Sequence, residues 1–245
     1  MDVPIPYIIN DTRTKESFLK KSYSGYKKTD ILNLLNKSII IGKIEEVCNL
    51  GVECVISGYY EELWEKILDI YTKYININSP YISFFLYNKL VLFIRITKND
   101  YFEKVPLDMR NSQQVRNMFC ELLCILNNTT KHRTLIKLVK INKTDFNPDY
   151  FKKKLTADDF SKSINILEKE DPKELLFVIN EISLHIIKQN YNLNHCIYWL
   201  SWILEWEKIN LLKRNKYHCA LRDIKDIDKK FKRDFIWILW DIIIK

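Results

Sequence analysis

The sequence predicts an all-α protein, a multi-helix array of about ten helices, and three observations lead there. Apolar residues recur at i, i+3, i+4 and i+7 along most of the chain, and short polar connections separate these runs. No two alternating runs are joined by hairpin punctuation, so nothing pairs into a sheet. Glycine is confined to Gly25, Gly42, Gly51 and Gly58, with none in the 187 positions that follow. Loops that cradle phosphate or dinucleotide need a residue without Cβ at the point of close approach, and no glycine-rich motif of those classes occurs.

Residues 1–28 hold Pro4, Pro6 and Ser24-Gly25 and read as an N-terminal arm with little core of its own. From Thr29 the helical period begins. Ile31, Leu32, Leu35, Ile39 and Ile40 share a face, Thr29 or Asp30 can cap the first turn, and Gly42 ends the helix. A second helix spans about 43–57 and stops at Ser57-Gly58. The third, 59–74, sets Leu63, Trp64, Ile67, Leu68 and Tyr71 against Glu61, Glu62, Glu65 and Lys66 on the opposite side. Ser79-Pro80 supplies N-cap and N1 for a helix over 81–96, which is apolar nearly all round and therefore central. Its Leu90–Ile94 stretch has strand propensity as well, but no second strand lies nearby. Helices over 112–127 and 130–140 follow, then a polar junction at 142–155.

Thr156-Ala157-Asp158-Asp159 is a capping-box pattern ahead of Phe160, Ile164 and Leu167. Asp171-Pro172-Lys173-Glu174 gives N-cap, N1 proline and N3 carboxylate before a helix at 175–189, and helices over 194–213 and 226–244 complete the set. The organisation is an arm, 1–28, and two helical subdomains, 29–141 and 156–245, or one continuous domain in their place.

The chain has 245 residues, 47% of them apolar, and a net charge of +8 with a pI near 9.0. That balance favours polyanionic partners. An abundance of Ile, Asn and Lys also matches a very A/T-rich genome, such as a large DNA virus has, so the charge has a compositional reading beside the functional one. The six cysteines follow no disulfide or zinc-ribbon spacing, the N-terminus has no signal-peptide pattern, and no apolar run is long enough to span a bilayer. The expected location is intracellular, in cytoplasm or nucleus, or within a virus particle.

Four constellations deserve comparison with plainer readings. Cys120 and Cys124 share a helix face and could meet His195-Cys196 or His218-Cys219 around Zn²⁺, but the plainer reading, small core residues beside Leu122, Leu123 and Leu126, takes precedence. His132, His185, His195 and His218 are scattered, with no nucleophile motif beside them. No catalytic residue, cofactor or metal is therefore assigned. Trp199, Trp202 and Trp206 form one helical stripe and Trp237 and Trp240 another; with Trp64 they are either core or anchors for a protein partner. Arg133, Lys137 and Lys140 fall on one face of the 130–140 helix, and with Lys229, Lys230, Lys232 and Arg233 they are the candidate phosphate contacts. Further basic clusters lie at Lys20-Lys21, Lys27-Lys28, Lys131–Lys143, Lys152–Lys154 and Lys213–Lys216.

Residues 29 to about 87 resemble the C-terminal helical collar of clamp-loader-related AAA+ ATPases. The resemblance rests on Asp30-Ile31-Leu32-x-x-Leu35-x-Lys37-Ser38-Ile39, then Gly42-Lys43-Ile44-Glu45, Ser57-Gly58, Glu62-Leu63-Trp64 with Ile67 and Ile70, and Asn78-Ser79-Pro80. No Walker, sensor or arginine-finger residue accompanies it. It implies oligomerisation, or a replication-accessory role, without nucleotide chemistry. The expected function is a non-enzymatic binding protein of a nucleic-acid assembly, with protein partners or self-association; a virion scaffold that binds only protein is the rival.

Overall fold

The computed structural model describes residues 8–131, 138–169, 171–212 and 242. Its described residues are helical, with ten α-helices, several 3₁₀ turns and no β-strand. The chain divides into two compact units, one of residues 1–75 and 85–134, the other of 76–84 and 135–245.

The first unit is built on α1 (Lys28–Ile41), α2 (Ile44–Ile56), α3 (Tyr60–Ile70), most of α4 (Tyr81–Thr97), α5 (Asp100–Lys104) and α6 (Gln113–Asn128). Gly42 and Gly58 take left-handed backbone at φ +81° and +76° and stop α1 and α2. In each case the following N–H bonds back to the fifth carbonyl before it, Lys43 to Ser38 at 2.9 Å and Tyr59 to Cys54 at 3.0 Å. Helix α3 then runs into a π-turn, Tyr71–Ile75, in place of its predicted last turn. The Leu90–Ile94 stretch is helical, as its helix reading has it, and buries Leu90 and Phe93. Tyr60, Trp64, Phe93 and Phe119 cluster with ring centroids 5.7–6.3 Å apart.

The described part of the N-terminal arm is fastened to this unit rather than free of core. Phe18 is buried, and the Arg13 guanidinium lies 4.9 Å over its ring. Ile9 N–H donates to Asn111 Oδ1 at 2.8 Å, the buried Arg110 donates to the Asp11 carbonyl at 2.9 Å, and Tyr23 N–H donates to Ser57 Oγ at 2.8 Å. An aromatic ring and paired main-chain groups give the arm what its composition did not advertise.

The second unit contains α7 (Pro148–Lys154), the single turn α8 (Ser161–Ile164), α9 (Leu175–Ile186) and α10 (Leu193–Leu212). Helices α9 and α10 form a hairpin, closed by a 3₁₀ turn at Lys188–Asn190. The segment read as a polar junction belongs to this core: Phe146, Phe151 and Leu155 pack against the cluster that holds Leu175, Ile179, Trp199 and Trp202. Asp145 anchors it, accepting from the Tyr198 hydroxyl at 2.8 Å and from Asn142 N–H at 2.7 Å, while its carbonyl accepts from Trp202 Nε1 at 3.2 Å.

Two predicted caps do not act as caps. Helix α9 begins at Leu175, as predicted, but with Glu174 at its N-cap, and the Asp171 carboxylate turns back to accept from Glu168 N–H at 2.8 Å. The Thr156 capping box does not open a helix; α8 starts at Ser161, whose N–H is held by Asp159 at 2.9 Å. Helix 226–244 lies outside the described residues apart from Ile242, which is buried in the second unit's core.

Candidate functional site

Of the predicted phosphate contacts, Arg133, Lys137, Lys229, Lys230, Lys232 and Arg233 lie outside the described residues, as do Trp237 and Trp240. Lys140 is exposed but not on a helix. Residues 138–142 are irregular, and Val139 N–H is spent on Ser201 Oγ at 2.9 Å. The predicted 130–140 helix also fails at its start. Lys131 caps α6 instead, its ammonium donating to the carbonyls of Leu126, Asn127 and Thr129 at 3.1, 2.6 and 3.1 Å. Those carbonyls have no N–H partner at a helix end, so a lysine there ends one helix rather than beginning the next. Burial holds its pKa below the usual lysine range.

Of the two readings of the tryptophans, the core one holds for the described rings: Trp64, Trp199, Trp202 and Trp206 are 0%, 0%, 3% and 9% exposed, and the anchor reading of these four is set aside. The large apolar area of an indole is best removed from water wherever facing helices allow it. Of the described cysteines, Cys54 and Cys196 are buried, while Cys120, read from the sequence as a small core residue, is exposed. Cys48 and Cys124 lie 3.9 Å apart in the first unit, and Cys196 is fully buried in the second. Burial pushes the thiols of Cys54 and Cys196 up to about 12.

Two features of the second unit remain as candidates. The first is basic. Between residues 138 and 154, Lys140, Lys143, Lys152, Lys153 and Lys154 are all exposed, beside exposed Leu138, Val139 and Tyr150. None of these lysines has a carboxylate within ion-pair distance among the described residues. Lys154 lies instead over the rings of Tyr150 and Tyr198, at 5.5 and 5.4 Å. The Lys152–Lys154 run falls in the last turn of α7, where positive charge meets the negative end of the helix dipole.

The second is a cluster that sequence reading missed: Glu181, His185 and His195, whose ligating atoms all lie within 4.8 Å of one another. Glu181 and His185 stand one turn apart on α9 and so share a face, with Glu181 Oε2 3.5 Å from His185 Nε2. His195 comes from the first turn of α10, across the closed end of the hairpin, its ring centroid 4.4 Å from that of His185. The Glu181 side chain is 1% exposed, and its two oxygens accept from Thr156 N–H, Ala157 N–H and Thr156 Oγ1–H, each at 2.8 Å. His185 Nε2 is also 2.7 Å from Thr156 Oγ1, and its Nδ1 is 3.3 Å from the Asn190 carbonyl. Burial, then the neighbouring His185, holds the His195 imidazolium below its usual pKa. The i, i+4 spacing of Glu181 and His185 was readable in the sequence; the third member depends on how tightly the hairpin closes.

Comparison with protein-family models, with curated proteins and with solved structures returns no match for this chain. Among the described residues, no helix is long and apolar enough to cross a membrane.

Proposed function

We propose that the protein is a non-enzymatic binding component of a nucleic-acid assembly, of the replication-accessory class, and that the 138–154 segment touches the phosphate backbone. The observation that carries this reading is the set of five exposed lysines there without a carboxylate partner among the described residues. An ammonium group with no internal partner keeps its full attraction for phosphate, and each contact formed releases counterions. Exposed Tyr150 offers a ring for base stacking, which suits single strands.

A second reading, protein binding through residues 29–87, is favoured by a groove of about 830 Å³ between α1 and α2. Exposed Leu34 and Ile44 line it, and Asp30, Glu45, Glu46 and Glu53 give it acidic walls. The collar resemblance of the same residues points the same way.

The test is binding to labelled single- and double-stranded oligonucleotides across a salt series, for the native chain and for Lys152→Ala/Lys153→Ala/Lys154→Ala. The expected result is binding that weakens linearly in log–log salt, with the slope reduced by about 2 to 3 in the variant, since each phosphate contact contributes about 0.7–0.9. Absence of binding at low salt, or a slope the variant leaves unchanged, removes this reading and leaves the α1–α2 groove as the working surface.

A further inference from the structure

We propose that Glu181, His185 and His195 bind a divalent transition-metal ion of the zinc class at the closed end of the α9–α10 hairpin. One carboxylate and two imidazoles are a donor set that such ions take, leaving a position open for water or the Thr156 hydroxyl. The spacing fits. Donors about 2.0–2.1 Å from a shared tetrahedral ion stand about 3.4 Å from one another, and Glu181 Oε2 and His185 Nε2 are already 3.5 Å apart. The His195 donor lies within 4.8 Å of both, and its side chain keeps partial exposure.

A second observation concerns hydrogens. Thr156 Oγ1 has one proton to give but sits 2.8 Å from Glu181 Oε2 and 2.7 Å from His185 Nε2. On the far side of the ring, His185 Nδ1 faces the Asn190 carbonyl. With Nδ1–H donating there, Nε2 presents a lone pair on the same side as the Glu181 carboxylate, the arrangement that two ligands of one ion share. The supporting shell is also what a metal ligand needs. The Asn190 carbonyl lies 3.3 Å from His185 Nδ1, the Lys154 main chain bonds His195, and the Thr156 and Ala157 amides orient the Glu181 carboxylate. His185 and His195 keep partial exposure, which gives an ion a way in. An ion here would tie the Thr156–Ala157 loop, just past the Lys152–Lys154 run, to both helices of the hairpin. The proposal does not depend on the nucleic-acid reading.

The experiment is titration of the full chain with Zn²⁺ under a non-thiol reductant, followed by a competing indicator and by thermal unfolding. Co²⁺ serves as a spectroscopic probe of the ligands. The expected result is one ion per chain at micromolar affinity or tighter, a rise in Tm, and visible Co²⁺ bands without thiolate-to-metal charge transfer. His195→Ala removes a half-exposed side chain and should fold; it is expected to weaken binding by at least about tenfold. Three results would each overturn the proposal: affinity weaker than about 100 µM, equal affinity in His195→Ala, or a thiolate charge-transfer band placing the metal on cysteine.

Discussion

His195 and Cys196 are neighbours in the chain and their pKa values move in opposite directions for one reason. Removal from water penalises whichever form carries charge, so the imidazolium of His195 is held down and the thiol of Cys196 is pushed up to about 12. Cys54 behaves as Cys196 does. Native alkylation at pH 8, read by mass spectrometry, should therefore label exposed Cys120 well before Cys54 or Cys196. Comparable labelling of all three would show that the two cores are not closed. The linkage sign follows. A thiol whose folded pKa lies above its unfolded value of about 8.5 contributes stability in full below that pH. The contribution is lost as pH rises toward about 12, so the denaturant midpoint should fall across that alkaline window.

At the scale of elements, α2 and α6 come together at Gly51, where only a hydrogen fits. A Cβ built there would meet Leu123 Cδ1 at 2.2 Å, and Leu123 is itself buried. Gly51→Ala sets a helix-propensity gain of up to about 1 kcal/mol against overpacking of about 1–3 kcal/mol. The expected net is a loss of about 1 kcal/mol by urea denaturation, relieved when Leu123→Val is added. A gain in stability from Gly51→Ala alone would mean that Leu123 swings aside freely. Nothing in the sequence distinguishes Gly51 from the helix-ending Gly42 and Gly58, because its role is set by a side chain 72 positions away. Local signals succeed where the deciding partner is local, as at the Gly42 and Gly58 stops. They fail where a predicted cap finds a better partner across the fold, as Thr156 does in giving its hydroxyl to Glu181.

Each unit of the whole molecule has its own fully buried indole, Trp64 in the first and Trp199 in the second. Truncating either to alanine is expected to cost about 3–5 kcal/mol, a large share of the 5–15 kcal/mol typical of a folded protein. The measurement is amide exchange. Trp64→Ala should strip protection from α1–α3 and α6, and Trp199→Ala from α9 and α10. Retained protection in the unit that lost its indole would show that the ring contributes little to that core. The net charge of +8 belongs to this scale as well. In the described residues some lysines are spent internally, as Lys28 on Glu62 and Lys89 on Glu121, while those at 140–154 are not.

The sequence by itself determined the all-α class and most helix positions, because periodicity and glycine stops act within a few residues of where they are read. It also marked the tryptophans as either core or surface without deciding between them. Only the tertiary structure decided that Trp64, Trp199, Trp202 and Trp206 are core, since burial depends on what packs opposite. It alone brought Thr156 to Glu181 and His185 to His195, residues 25 and 10 positions apart in sequence. Their meeting depends on where the hairpin turns and on which main-chain amides a buried carboxylate must recruit, and neither is written at the positions themselves.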